Sequence, residues 1–151
     1  LTCHSDGLSH AVIYAPEAEA KWLQRSTLNL SYFLGVNIVA PEADRLVRDG
    51  DEIKMSGLTA RAIHAPGHSP GSTAYFVEAD GSNPPHLFCG DILFAGSIGR
   101  ADLPGSAGEK TLIANIRAKL FTLANETIVH PGHGPDTTIG EEKNSNPFCG
   151  E

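Results

Sequence analysis

Three observations in the amino-acid sequence predict an α/β domain. Short runs of β-forming residues, among them Leu58–His64 and Thr73–Val77, alternate with turn residues, and the chain holds 16 Gly and 10 Pro. Across residues 109–123 the apolar positions Leu112, Ile113, Ile116, Leu120 and Leu123 recur at intervals of three and four, which predicts one amphipathic helix covering a sheet, with Lys110, Arg117 and Lys119 facing outward. Three strand-like runs end in groups able to bind a metal: His68, Asp91 and His133.

Length and composition narrow the reading further. One domain is expected over residues 1–151, since the chain is long enough for one sizeable core and too short for two of ordinary size. A formal charge of -7 opposes nonspecific nucleic-acid binding and docking on anionic membranes, which leaves a small molecule as the expected partner. Cys3, Cys89 and Cys149 form neither a zinc pattern nor an even-numbered disulfide framework, so reduced thiols in a cytoplasmic location are expected. No apolar run approaches a membrane span, and no signal-peptide pattern is present. The first residue is Leu1 rather than Met, and an N-terminally incomplete or processed chain is expected.

In chain order, residues 1–10 are too polar for a buried strand and offer His4, Asp6 and His10 as candidate ligands. Residues 11–15 read as a short strand, and residues 16–24 as a helix with Pro and acids in its first turn. Residues 25–39 mix period two with helical spacing and read as a mobile or lid-like connection. Arg45–Val47, Glu52–Met55 and Leu58–His64 are strands, with a turn at Asp49-Gly50-Asp51, and residues 80–85 are a hairpin loop. The glycine-rich stretch 92–108 is long and irregular, which a compact domain tolerates chiefly for function, so it is expected to line the site. Residues 137–144 predict a final helix with a Thr cap and early acids, stopped before Pro147.

The chemistry gathers at two similar turns. Pro66 and Pro70 fix φ while Gly67 and Gly71 permit tight backbone, so His68 is held rigidly past the end of a strand. Pro131-Gly132-His133-Gly134-Pro135 repeats the device, and Gly90-Asp91 ends the strand between them. Two neutral imidazoles and a carboxylate suit zinc, iron or manganese, and can serve two ions at once. His64 and His86 read as packing or surface residues, His130 as a strand residue, and Cys89 as an inert buried thiol. Arg100 and Asp102 read as a brace across the long loop, with a glutathione carboxylate as the other candidate partner of Arg100.

These motifs resemble the metallo-β-lactamase superfamily, and within it the glyoxalase II group, the hydroxyacylglutathione hydrolases of the short bacterial type. The resemblance rests on Pro66-Gly67-His68-Ser69-Pro70-Gly71-Ser72, on residues 88–105, on His130-Pro131-Gly132-His133-Gly134-Pro135 and on the ending from Thr137 through Phe148. It implies an αββα sandwich with its metal site along one edge, His68 on one metal, Asp91 bridging two, and His133 on the other. It further implies zinc, or else iron or manganese, at up to two ions per chain. The implied reaction is hydrolysis of a glutathione thioester such as S-lactoylglutathione by attack of a metal-bound hydroxide on the thioester carbonyl.

The N-terminus departs from that pattern. The family's His-x-His-x-Asp-His motif corresponds here to Thr2-Cys3-His4-Ser5-Asp6-Gly7, which carries over His4 and Asp6 as ligands, Asp6 with a catalytic role beside Asp91, while Thr2 and Gly7 stand where two His belong. Weaker metal retention than in a full-length relative is the expectation. Strands of the first sheet are missing from the sequence, so an apolar sheet face and an edge are expected to be uncovered, favouring self-association into oligomers. Two other functions fit the same motifs: a persulfide dioxygenase-like iron enzyme, which shares the Gly-Arg-x-Asp pattern of residues 99–102, and a catalytically inactive module of this fold. The acidic balance opposes an RNA-processing nuclease.

Overall fold

A computed structural model describes residues 11–55, 57–78, 80, 81 and 83–150. Within this chain the contacts fall into two compact units that divide between Val47 and Arg48. Residues 1–10, with His4, Asp6, His10 and Cys3, lie outside the described residues.

The first unit is built on a short parallel pair, β1 (Tyr14–Pro16) and β2 (Arg45–Val47). Asp44 closes it: its carboxylate accepts from the Ile13 amide at 2.8 Å, and its own amide donates to the Ile13 carbonyl at 2.9 Å. The helix expected after Pro16 is a 3-10 helix, Glu17–Trp22. Residues 25–39 form no strand and only one 3-10 turn, Ser31–Leu34. Polar side chains set their course instead. Asn29 Nδ2 donates to the carbonyls of Trp22 and Ile38, each at 3.0 Å, and Ser31 Oγ accepts from the Ile38 amide at 3.1 Å. Neither period of the apolar residues prevails there because Tyr32, Phe33, Leu34, Val36, Ile38 and Val39 are all exposed.

The second unit is a six-stranded mixed sheet. Its strands are β3 (Glu52–Met55), β4 (Leu58–His64), β5 (Thr73–Val77), β6 (His86–Gly90), β9 (Ile128–Pro131) and β10 (Thr137–Thr138), while β7 (Leu93–Phe94) and β8 (Ser97–Ile98) make a separate small hairpin. The order across the sheet is β10-β9-β6-β5-β4-β3. Alternation decides which face is inside: Ile63, Ala74, Phe76, Leu87, Cys89 and Val129 point into one core with Leu112, Ile116 and Leu120 of the helical run and Ile139 of α2 (Ile139–Ser145). Phe88, one residue out of phase, is half-exposed, as are Met55 and Leu58 at the β3–β4 hairpin.

The amphipathic helix is present as α1 (Glu109–Asn115), continued by a π-helical turn over Ile116–Leu120. Widening the last turn to five residues leaves Ile116 and Leu120 both buried, and the Phe121 amide bonds the Ile116 carbonyl at 2.9 Å. Two of its three cations do more than face solvent. Lys119 Nζ donates to Asp49 Oδ2 at 2.9 Å and to the His64 carbonyl at 2.6 Å, and Arg117 donates to the carbonyls of Cys149 and Gly150. At the C-terminal end, Thr138 caps α2 by accepting from the Glu141 amide. No helix among the described residues is long and apolar enough to cross a membrane.

Strand direction fixes where the site must be. β4 and β6 both run antiparallel to β5, so they are parallel to each other, and β9 is parallel to β6. The carboxyl ends of β4, β6 and β9 therefore meet at one end of the sheet. The residues that follow them are the turn bearing His68, then Asp91, then the turn bearing His133.

Candidate metal centre

His68 is placed by a turn that is held from several directions. The Ala65 amide donates to the Ser72 carbonyl at 2.8 Å, the Ser69 amide donates to Ser72 Oγ at 3.0 Å, and the Ala107 amide donates to the Gly67 carbonyl at 3.0 Å. Asn115 Nδ2, from α1, donates to the Pro66 carbonyl at 2.7 Å. Gly67 is needed because a Cβ there would collide with Leu112 of the same helix. His64 adds a further tie, its Nε2 lying 2.9 Å from the Pro70 carbonyl.

The imidazole of His68 is oriented as well as placed. Its Nδ1 lies 2.7 Å from the Arg100 carbonyl oxygen. A carbonyl only accepts, so Nδ1 carries a proton, and in the neutral ring Nε2 is the nitrogen with the lone pair. That Nε2 is 3.9 Å from Asp91 Oδ2. His133 Nε2 lies 3.9 Å from the same oxygen. Glycines let the loops close around this carboxylate: a Cβ on Gly99 would strike the Asp91 carbonyl, and one on Gly132 would strike Asp91 Oδ1. The Gly132 amide donates to the Gly90 carbonyl at 2.9 Å, which draws the second turn against the end of β6.

The structure thus brings His68, Asp91 and His133 together. An ion shared by a carboxylate oxygen and an imidazole nitrogen keeps them within about 4.2 Å, twice a metal–ligand distance of about 2.1 Å, so each of the two pairs is within that span. No group of three or more His, Cys, Asp or Glu side chains among the described residues is arranged to hold a metal ion by itself. The donor chemistry, two imidazoles and one carboxylate, fits divalent transition ions shared pairwise.

Several neighbours were not legible as partners. Phe94, on the small hairpin, packs against His133 with ring centroids 4.6 Å apart. His130 Nδ1 lies 3.0 Å from Asp136 Oδ2, spanning the second turn at its base, and His130 Nε2 lies 2.9 Å from His86 Nδ1. One of the two rings donates to the other, so the pair shares a proton between β6 and β9. Arg100 and Asp102 form the expected brace, with Nε to Oδ1 and NH2 to Oδ2 both at 2.9 Å. Asp102 holds the Arg100 guanidinium above its ordinary pKa, and Arg100 lowers that of Asp102. Burial pushes the Cys89 thiol up to about 11, consistent with an inert thiol beside Leu93.

Comparison with known proteins bears on the same residues. The model of the metallo-beta-lactamase superfamily matches residues 7–133. The chain is 39% identical over 138 residues to the probable metallo-hydrolase YqgX of Bacillus subtilis, covering 90% of this chain and 63% of that protein. It is 45% identical over 101 residues to the hydroxyacylglutathione hydrolase GloC of Haemophilus influenzae, covering 67% of this chain and 45% of that one. Among solved structures, BLEG-1 B3 metallo-beta-lactamase matches with a TM-score of 0.82 at 40% identity, over 90% of this chain and 64% of that one. TTHA1623 in a di-iron-bound form matches with a TM-score of 0.73 at 36% identity, over 91% and 64%. The chain spans less than two thirds of the length of the curated relatives it matches first. A mixed sheet with helices on its core face, two Pro-Gly-His turns and a strand-end Asp at one sheet end, and a family match through both turns lead to one conclusion: this chain belongs to the metallo-β-lactamase superfamily.

Proposed function

We propose that this chain carries the site of a metal-dependent hydrolase of glutathione thioesters, of which S-lactoylglutathione is the test substrate. The observation that carries the reading is the position of Asp91 Oδ2, 3.9 Å from an imidazole nitrogen of each Pro-Gly-His turn, at the shared carboxyl end of three strands. The likeness to GloC supports the thioester, and the likeness to the di-iron form of TTHA1623 supports a pair of transition ions, with zinc, iron and manganese all suited to the donors.

In this reading His68, Asp91 and His133 would hold the metal ions, with His4 and Asp6 as the further ligands of the N-terminal motif. When bound, such ions polarise a carbonyl and bring the pKa of water toward neutrality. The chain's own contribution is order. The Arg100 carbonyl keeps the His68 proton on Nδ1, and the first Pro-Gly-His turn holds that ring without demanding side-chain entropy at the moment of binding. Hydrolysis then splits the acyl carbon–sulfur bond, giving a carboxylate and glutathione.

Metal content by elemental analysis, together with S-lactoylglutathione hydrolysis, tests the reading on the chain and on His68→Ala. Bound metal and turnover in the first, both lost in the second, are expected. Turnover that survives His68→Ala, or oxygen uptake with glutathione persulfide in place of thioester hydrolysis, would overturn it.

A further inference from the structure

His133 is the less supported of the two imidazoles, with 75% of its side chain exposed against 24% for His68. Besides Asp91, its packing partner is the ring of Phe94. The position of His133 therefore depends on what fixes the hairpin that carries Phe94. That hairpin is only two residues to a strand, too short to hold itself.

It is fixed by a carboxylate from another part of the chain. Glu142, in α2, is 1% exposed. The Gly96 amide at the hairpin tip donates to Glu142 Oε2 at 3.0 Å and Oε1 at 3.2 Å. Thr137 Oγ1, just past the His133 turn, donates to Oε1 at 2.7 Å, and Asn146 Nδ2 donates to Oε2 at 2.7 Å. The Asn146 amide also reaches the Ser97 carbonyl at 3.0 Å, so the network grips the hairpin at two successive residues. Gly96, with φ of 66°, presents its amide inward from a left-handed conformation. Every partner of the carboxylate is a donor, and its two oxygens are shared between the segment that carries Phe94 and the segment that follows His133. Buried networks of this kind lose more than one bond when a member changes, because the remaining groups are left unpaired.

We infer that Glu142 is a positioning residue for His133: it ties the Phe94 hairpin to the end of the His133 turn and thereby sets where that imidazole stands. This rests on reading His133 as a metal-holding residue, but the placement itself is testable without metal or substrate. In Glu142→Gln the new amide NH2 must face a donor on one side, so one of the two ties opens while side-chain size is kept. In metal-free protein, NMR of the His133 ring protons reads the ring current of Phe94 directly. Phe94→Leu defines the signal with that ring removed. In Glu142→Gln the His133 signals are expected to move toward those of Phe94→Leu, and zinc affinity, measured by competition with a chelator, to fall about 10- to 100-fold.

A Glu142→Gln variant that melts earlier yet keeps the native His133 signals and zinc affinity would show a purely structural residue and overturn the inference. Should Glu142→Gln fail to fold, Asn146→Ala, which removes one donor to the carboxylate and the bond to the Ser97 carbonyl, takes its place beside Phe94→Leu. His133 signals unchanged in Phe94→Leu would mean that the two rings do not meet, which equally overturns it. Signals in Asn146→Ala that move toward those of Phe94→Leu, with a weaker zinc affinity, would uphold it, and native signals with native zinc affinity would overturn it. Absence of thioesterase activity touches none of these readouts and would count only against the proposed substrate.

Discussion

At the first Pro-Gly-His turn, α1 bonds the Pro66 carbonyl, Leu112 presses on Gly67, the Arg100 carbonyl accepts from His68 Nδ1, and two serines close the loop on itself. At the second, the same three residues meet the Gly90 carbonyl, a clasp of His130 with Asp136, and one phenyl ring. One imidazole is part of the core's edge and the other stands in solvent. The difference teaches that the tripeptide supplies a shape, while the surroundings decide how rigidly the ligand is held. A pair of metal ions bound across these two turns would then sit on unequal supports, with the His68 side preorganised and the His133 side dependent on distant ties.

Alanine at the glycine before each histidine gives the largest contrast. At Gly67 a Cβ meets the Leu112 Cα at 2.5 Å, which is helix backbone and cannot step aside. Gly67→Ala is expected to cost about 2–3 kcal/mol, seen as a Tm lower by roughly 5–10 °C in calorimetry. At Gly132 the obstacle is Asp91 Oδ1, the free end of a side chain that can swing. Gly132→Ala should therefore leave Tm nearly unchanged and lower zinc affinity instead, by about tenfold or more. Equal losses of Tm in the two variants would erase the distinction between the turns.

Asn115→Ala sharpens the contrast at smaller scale. Its amide bond to the Pro66 carbonyl has no side-chain counterpart at Pro131 among the described residues, and Pro131 is placed by strand pairing with Gly90. Removing it leaves a half-buried carbonyl unpaired, for an expected loss of about 1–2 kcal/mol in urea unfolding. A loss below the error of that measurement would mean that the serine bonds alone suffice to hold the first turn.

The sequence stated the strands well and their fixtures badly, for one physical reason. Arg45–Val47, Glu52–Met55, Leu58–His64 and Thr73–Val77 stand at their expected bounds because alternation and flanking turn residues are local signals. His68, Asp91 and His133 were legible because each follows a strand at a Pro-Gly or Gly step. The groups that orient them come from 32 to 49 residues away: Arg100 for His68, Glu142 for Gly96, Asn115 for Pro66. Nothing local in Glu142 marks it as buried, and a charged residue in a short terminal helix reads as solvated. Lys119 shows the converse error, since helical periodicity places it outward while its four-carbon stem lets it return to Asp49 and His64.

That lysine supplies the smallest of the expected effects, and the one most specific to the first turn. His64 is the last residue of β4 before the turn, its carbonyl bound by Lys119 and its amide donating to Asp49 Oδ1 at 2.7 Å. The Lys119 hydrogen bond holds the Asp49 carboxyl below its ordinary pKa; partial burial opposes this, and the His64 amide adds to it. A folded-state value below the unfolded one means stabilisation that is complete above the unfolded carboxyl range, about pH 4, and is lost as pH falls through the depressed folded value. Because 53% of the Asp49 side chain is exposed, the contribution is under about 1 kcal/mol. Asp49→Asn keeps an oxygen for the His64 amide and removes only the charge facing Lys119. It should flatten the acid limb of the stability curve while leaving zinc affinity unchanged. An acid limb identical to that of the unmodified chain would strike the Lys119–Asp49 pair from the fixtures of the first turn and leave Asn115 and Leu112 as its anchors in the helix.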